Sequence, residues 1–135
     1  MLRIRKIKPT YTTVITTATK FDKDDKQNGV ITAKKGDLKL YQRVVAVGSM
    51  VREFKVGDLV MINAENYAKK KYSATSIQND MDNNPTLKYE FNWVTMENEK
   101  GELEDYLMLN DRDILYSFEG EEVDEPVIQT PKLML

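Results

Sequence analysis

One stretch of the chain, residues 41–63, limits the possible fold more than any other. It contains a β-branched apolar run that ends at Gly48, a short turn, and a second apolar run that begins after Val56-Gly57-Asp58. β-Branched residues favour extended backbone, whereas glycine and aspartate favour turns. Two strands joined in this way predict the wall of a small β-barrel.

Strand patterns recur along most of the chain. The segment Leu87–Met96 alternates apolar and polar residues, which predicts a half-buried strand with Leu87, Tyr89, Phe91 and Trp93 on one face. Gly101 marks the tight point of a hairpin turn that follows this strand. Further predicted elements are strands at Tyr11–Thr17, Leu38–Val47, Leu59–Ile62, Tyr106–Leu109 and Ile114–Phe118, and a single helical turn at Asn110–Asp113. Long helical patterns are absent, so the predicted class is all-β.

The composition restricts the function. The chain has 135 residues, enough for one domain, with a net charge of −2, no histidine and no cysteine. Histidine, which is the commonest general base and the commonest transition-metal ligand, is therefore missing. Without cysteine, disulfide and thiolate chemistry are impossible. The acidic balance provides no overall positive field to attract nucleic acid or an anionic membrane. We therefore expect no enzyme activity, cofactor, metal, small-molecule substrate, nucleic-acid partner or membrane partner.

The N-terminal residues alternate apolar and basic side chains. They lack the apolar core of a signal peptide, which favours a cytoplasmic location.

One acidic loop has part of a calcium-binding pattern. Asp80, Asp82 and Asn84 hold the alternate positions of an EF-hand loop. However, Pro85 stands where that loop needs glycine, and Phe91 stands where it needs a bidentate glutamate. An Asx-rich turn is the favoured interpretation.

A short apolar island follows the dipeptide Asn28-Gly29, which readily takes positive φ. Val30 and Ile31 stand between two polar runs, with Thr32 after them. So small an island cannot bury itself locally, and it is predicted to be a short edge strand or a recognition segment that docks in a partner's groove. The alternative is a surface hairpin that packs on its own barrel.

The C-terminal residues suit an extended arm. An acidic linker precedes Pro126, and a second proline, Pro131, follows within an apolar segment. Proline disfavours helices and central strands, so this segment, residues 126–135, is predicted to lie on another surface. We call it the C-terminal arm, and its expected assembly contacts are Val127, Ile128, Leu133, Met134 and Leu135.

Several motifs, taken in order, resemble the GroES-type co-chaperonins, which are ring-forming lids of the large chaperonins. The matching segments are Ile7-Lys8-Pro9 with Val14-Ile15-Thr16, the mobile-loop position Asn28–Thr32, the strand Val44–Gly48, the turn Val56–Asp58 and the closing element Asn110–Tyr116. They cover roughly residues 2–63 and 104–120, which is more than half of the chain.

This resemblance implies a GroES-like β-barrel over residues 1–120, with a β-hairpin insertion at about 64–103 and the acidic linker and arm at 121–135. It also implies a homo-oligomeric ring that caps a chaperonin and assists protein folding. The implied partner-binding residues are Gly29, Val30, Ile31 and Thr32.

The chain departs from the family pattern in three respects. Thr32 replaces an aliphatic residue, the segment from Gly48 to Lys55 is too short for the hairpin that roofs the usual ring, and the insertion and arm have no counterpart. These departures favour a viral or otherwise divergent member. They equally suit a virion or capsid accessory protein of a phage that uses the same barrel to assemble with a viral or host protein.

Overall fold

The computed structural model describes residues 1–71 and 86–123, and this part of the chain is built mainly of β-strands. The strands are β1 (Thr13–Thr17), β2 (Asp25–Gln27), β3 (Val30–Ala33), β4 (Tyr41–Val47), β5 (Leu59–Ile62), β6 (Ala68–Lys71), β7 (Thr86–Tyr89), β8 (Asn92–Glu97), β9 (Leu103–Asn110) and β10 (Ile114–Phe118). Short 3₁₀ turns occur at Ala64–Tyr67 and Asp111–Asp113. The predicted all-β class is confirmed.

Six strands form one antiparallel sheet in the order β10-β5-β4-β1-β9-β8. Two separate ribbons are formed by β2 with β3 and by β6 with β7. Among the described strands no ladder joins β10 to β8, so the predicted closed barrel is not confirmed. The β6–β7 ribbon lies in the region predicted as an insertion, whereas β8 belongs to the main sheet.

Strand β1 is covered on both of its faces. Val14 and Ile15 are sequence neighbours whose side chains project to opposite faces, yet each is fully buried. Separate clusters of apolar side chains cover the two faces: Val44, Phe54 and Val60 pack with Val14, and Met96 and Tyr106 pack with Ile15.

The segment before β1 supplies the second layer. Ile4 and Ile7 pack against the cluster around Ile15. Ile4 also forms a parallel bridge to Met96, and its carbonyl accepts a hydrogen bond of 2.8 Å from the backbone N–H of Glu97. The N-terminal segment therefore covers a sheet face and pairs with the outer edge of β8 at one end, at Met96 and Glu97.

The strand predicted at Leu87–Met96 is interrupted. The chain leaves β7 at Glu90, whose N–H donates to the carbonyl of Tyr67 at 2.9 Å, and β8 starts only at Asn92. Phe91 packs on the Tyr67 ring, with 4.9 Å between centroids, while Trp93 is 45% exposed. The prediction that Phe91 and Trp93 share a buried face is wrong, because the break interrupts the alternation.

Two of the turns predicted from sequence connect strands of the main sheet. In the Val56-Gly57-Asp58 turn, the Asp58 carboxylate accepts a hydrogen bond of 2.9 Å from the backbone N–H of Lys55. The β8–β9 hairpin turns through Gly101, whose N–H donates to the Asn98 carbonyl at 3.0 Å.

Gly48 ends β4 where the backbone lies against the turn before β1. The N–H of Gly48 donates to the Thr13 carbonyl at 2.8 Å, and the N–H of Met50 donates to the Tyr11 carbonyl at 2.9 Å. A Cβ atom at position 48 would lie 2.2 Å from that Tyr11 oxygen. Only glycine fits there without moving backbone.

We expect Gly48→Ala to lower the free energy of unfolding by about 3 kcal/mol, because a rigid backbone atom has to shift to admit the methyl group. Urea denaturation followed by Trp93 fluorescence measures this loss. Gly120→Ala is the control, since a Cβ there meets only the Phe118 ring, at 3.6 Å. Equal stability of the two variants would contradict the close approach at Gly48.

Candidate functional site

A long excursion leaves the main sheet between β1 and β4. Two backbone hydrogen bonds close its base. The N–H of Lys39 donates to the Thr19 carbonyl at 3.0 Å, and the N–H of Phe21 donates to the Asp37 carbonyl at 2.9 Å. The β2–β3 ribbon forms its outer part, which we call the β2–β3 hairpin. The excursion occupies the place of the predicted mobile loop, and here it is an ordered antiparallel hairpin.

The hairpin turns at Asn28-Gly29. Gln27 pairs with Val30, which leaves a two-residue loop, and φ is +54° at Asn28 and +80° at Gly29. Positive φ at both residues is typical of a type I′ turn, whose twist matches the flanking strands. The predicted positive φ of this dipeptide is confirmed.

The predicted partner-binding residues lie together at the tip of this hairpin. Val30 is 64% exposed and Ile31 is 47% exposed, so neither packs fully on the body of the protein. Thr32 donates its hydroxyl hydrogen to the Asp25 carbonyl across the ribbon at 3.2 Å. Gly29 lies in the turn itself. Because neighbouring strand residues project to opposite faces, the tip presents one apolar side chain on each face of the ribbon, while Thr32 is engaged within the hairpin.

Gln42 anchors the base of the excursion to β4. This side chain is 1% exposed. Its Nε2 donates to the carbonyls of Thr19 at 3.0 Å and Lys39 at 2.6 Å, and its Oε1 accepts from the Thr19 N–H and the Thr17 hydroxyl, both at 2.9 Å. One buried amide thus satisfies backbone groups on both arms of the excursion.

An open groove of about 1120 Å³ lies between the excursion, the sheet and residues 120–123. Cross-strand pairs form its floor: Tyr41 lies opposite Met61, and Phe118 lies opposite Leu59. Phe21 closes one side, because its ring meets Tyr41 edge-to-face at 6.3 Å. Tyr41 meets Phe118 in the same way, also at 6.3 Å. We call this site the aromatic groove.

A three-residue cluster holds the end of the described chain against this groove. The Glu122 carboxylate accepts hydrogen bonds from the Lys39 ammonium and the Tyr41 hydroxyl. The ammonium also lies 5.4 Å from the Phe21 ring centroid and 5.7 Å from that of Tyr41, within the range of a cation–π contact. We call Lys39, Tyr41 and Glu122 the latch.

The latch shifts the pKa values of two of its members. Hydrogen bonds from Lys39 and Tyr41 hold the pKa of Glu122 below its usual range. Burial is the main cause that raises the pKa of the Tyr41 phenol, and the hydrogen bond to Glu122 is the second cause. Both shifts favour the arrangement in which tyrosine donates and glutamate is ionised.

The buried carboxylate of Asp113 has a structural role. Asp113 is 6% exposed and accepts hydrogen bonds from the Asn66 amide at 2.7 Å, the Asn110 backbone N–H at 3.1 Å and the Tyr67 hydroxyl. Burial and the Asp113 contact raise the pKa of Tyr67. These bonds tie the two 3₁₀ turns together and leave no oxygen of Asp113 without a partner.

Some predicted residues lie outside the described part of the chain. They are Asp80, Asp82 and Asn84 of the acidic loop, and Val127, Ile128, Leu133, Met134 and Leu135 of the C-terminal arm. Within residues 1–71 and 86–123, no group of three or more acidic side chains has the arrangement of a metal site. No helix in the same residues has the length and apolar character needed to cross a bilayer.

No protein-family model matches the sequence, and no curated protein matches it.

Sequence reasoning missed the aromatic groove and the latch. Period-two alternation in β4 places Tyr41 and Arg43 on the face opposite Gln42 and Val44, so a second functional face could have been suspected. Nothing local connects Phe21, Tyr41 and Phe118, because these rings come from distant parts of the chain.

We expect Glu122→Gln to lower the pKa of Tyr41 toward the ordinary tyrosine value of about 10, because the negatively charged acceptor is lost. A titration of the Tyr41 ring carbon by NMR measures this change. Glu121→Gln removes the same charge from the neighbouring residue, which has no part in the latch, and serves as the control.

The same shifts set the pH range of the latch. A lowered Glu122 pKa keeps the latch closed above the ordinary glutamate value and opens it as pH falls through the folded value. A raised Tyr41 pKa keeps the latch closed below the ordinary tyrosine value of about 10, and the latch opens as pH rises through the raised value. A Tyr41 titration that is unchanged in Glu122→Gln would show that the latch does not form.

Proposed function

We propose that this protein is a subunit of a ring that caps a larger chaperonin, in the manner of the GroES-type lids, and that the β2–β3 hairpin makes the contact. The observation that carries this proposal is the exposed pair Val30 and Ile31 at the tip of a hairpin that is separate from the main sheet. An apolar pair at such a position suits insertion into an apolar groove on a partner.

The energy of this contact suits reversible capping. Burying Val30 and Ile31 stabilises a complex by roughly 2–4 kcal/mol per subunit before ordering costs are subtracted. A single contact of this size is weak, but a ring that presents several hairpins together binds much more tightly. The type I′ turn lowers the ordering cost, because the hairpin is already formed.

Strand β10 offers an edge for ring formation. Within the described residues it pairs only with β5, and its outer edge carries no strand. Leu115 is 58% exposed and Tyr116 is 52% exposed, and the strand contains neither proline nor a charged residue. Such an edge is an unprotected template for pairing with another chain. Pairing with a different surface of the next copy generates a closed ring when the rotation between successive copies closes.

The connection between β4 and β5 supports a ring with a wide opening. Phe54 is buried, and both Phe54 and Val51 pack on the cluster around Val14. This connection therefore lies on the body of the subunit, where the usual family member raises a roof hairpin.

A second candidate is a virion or capsid accessory protein that uses the same edge for assembly. The latch favours it, because Lys39 and Tyr41 hold Glu122, which belongs to the acidic linker before the C-terminal arm. A linker held in this way suits a permanent structural contact.

We expect Val30→Asp and Ile31→Asp each to abolish co-migration with a purified double-ring chaperonin in the presence of nucleotide, because a charged side chain is not accepted in an apolar groove. Native gels and chaperonin ATPase rates measure binding. Val56→Asp is the control, since Val56 is 58% exposed and lies in the β4–β5 turn. If the unmodified protein neither co-migrates nor alters ATPase, the capping function is excluded and the accessory role becomes the leading candidate.

We expect the double variant Leu115→Glu, Tyr116→Glu to dissociate the ring, because like charges along an edge oppose strand pairing. Native mass spectrometry should give a multiple of 15.6 kDa for the unmodified chain and 15.6 kDa for the variant. Trp93→Glu is the matched control, since Trp93 is also exposed but lies on β8, at the opposite side of the sheet from β10. A single-chain mass for the unmodified protein at micromolar concentration would contradict ring formation.

A further inference from the structure

We propose that the aromatic groove binds an acidic linear peptide of a partner protein, and that Glu122 occupies the carboxylate subsite of this groove until such a peptide displaces it. This binding requires neither the ring nor the chaperonin contact. The two unequal sides of the latch, the space that stays open beside it and the charges around it support the assignment.

The main sheet fixes the receptor side of the latch. The N–H of Lys39 donates to the Thr19 carbonyl at 3.0 Å, and the Lys39 carbonyl accepts from the Gln42 amide at 2.6 Å. Tyr41 is a residue of β4 and pairs with Met61 across the ladder to β5. The ammonium and the phenol therefore have their own supports, and neither depends on Glu122 for its position.

Glu122 is the less buried side of the latch. Its side chain is 51% exposed, whereas that of Lys39 is 16% exposed. Glu122 also lies beyond the end of β10 at Phe118, in a described segment that belongs to no strand. A half-exposed ion pair contributes little to stability. A peptide that brings its own carboxylate and further contacts can therefore replace Glu122.

Much of the groove stays open while Glu122 is in place. A volume of about 1120 Å³ remains beside residues 120–123, and Val123 is 74% exposed although it lines this space. The rings of Phe21 and Phe118 flank Tyr41 and provide apolar contact area next to the subsite. A partner peptide gains these contacts, which the chain's own linker leaves largely unused.

The groove is lined by charges of both signs. Its cations are Lys23, Lys26, Lys39 and Arg43, and its acidic residues are Asp22, Asp24, Asp25, Glu121 and Glu122. The hydrogen bond from Lys39 and, more weakly, the charge of Lys23 lower the pKa of Glu122, so both cations act on the subsite. Arg43 is engaged elsewhere, because its Nη1 donates to the Gly57 carbonyl at 2.6 Å.

The neighbouring aspartates restrict the ligand to a singly charged group. Asp22, Asp24 and Asp25 lie on the excursion that carries Lys23, and they repel any anion in the groove. A phosphate group carries up to about two negative charges and is repelled more strongly than one carboxylate. The subsite therefore suits a glutamate or aspartate side chain better than a phosphorylated residue.

An NMR titration of the full-length protein tests this proposal. The probe is the peptide Glu-Gly-Glu-Glu-Val, which has the sequence of residues 119–123. The Tyr41 ring resonance reports its binding, and Tyr11, which is 69% exposed and lies outside the groove, is the reference. Glu122→Ala should bind the probe at least about tenfold more tightly than the unmodified protein, because an internal competitor that occupies nine-tenths of the sites weakens binding about tenfold.

Glu119→Ala is the matched control. It removes the same charge from the same linker, but Glu119 does not line the groove, so its affinity should equal that of the unmodified protein. Equal tightening in both variants would indicate a general charge effect and overturn the proposal. The neutral peptide Gln-Gly-Gln-Gln-Val should bind Glu122→Ala at least about tenfold more weakly than the probe. Equal binding of the two peptides would overturn the carboxylate assignment.

Adding Lys39→Met to Glu122→Ala should abolish the Tyr41 response to the probe, because the ammonium is lost while the aliphatic stem and the backbone hydrogen bonds of residue 39 remain. An unchanged Tyr11 resonance confirms that the double variant is folded. Binding that survives Lys39→Met, or an affinity that does not rise in Glu122→Ala, overturns the proposal. Glu122 is then a permanent tie, as the accessory role requires.

Discussion

Burial of β1 on both faces is the constraint on which the described structure depends. Val14 and Ile15 are adjacent, so their complete burial requires apolar cover on each side of one strand. The β4 and β5 side chains, with Phe54, supply one cover, and the N-terminal segment with β8 and β9 supplies the other. A single sheet thereby acquires two apolar layers, which compensates for the small size of the domain.

The same strand positions the interaction surfaces. The excursion leaves from the end of β1 and returns at the start of β4, and Gln42 binds both of its arms. This anchor projects the β2–β3 hairpin away from the sheet at one end and places Phe21 beside Tyr41 at the other. The exposed tip and the aromatic groove are therefore two products of one excursion, and the latch links the second of them to the C-terminal linker.

Local patterns predicted much of the secondary structure. The strands β1, β4, β5, β9 and β10, the Asn28-Gly29 turn and the hairpin turn at Gly101 follow from side-chain alternation and turn chemistry, which act over a few residues. The single strand predicted at Leu87–Met96 is instead divided in two, because β7 pairs with β6 whereas β8 pairs with β9, and these partners are distant in sequence. The apolar tip was visible from sequence as an island too small to bury itself.

By itself, the sequence determined the all-β class and the turns at Asn28-Gly29, Val56–Asp58 and Gly101, because each depends on neighbours along the chain. Only the tertiary structure decided which edge of the sheet stays open, that the N-terminal segment covers β8, and that Phe21, Tyr41 and Phe118 meet. Those outcomes depend on contacts between residues far apart in sequence, and alternation in one strand carries no record of which distant side chain packs on each face.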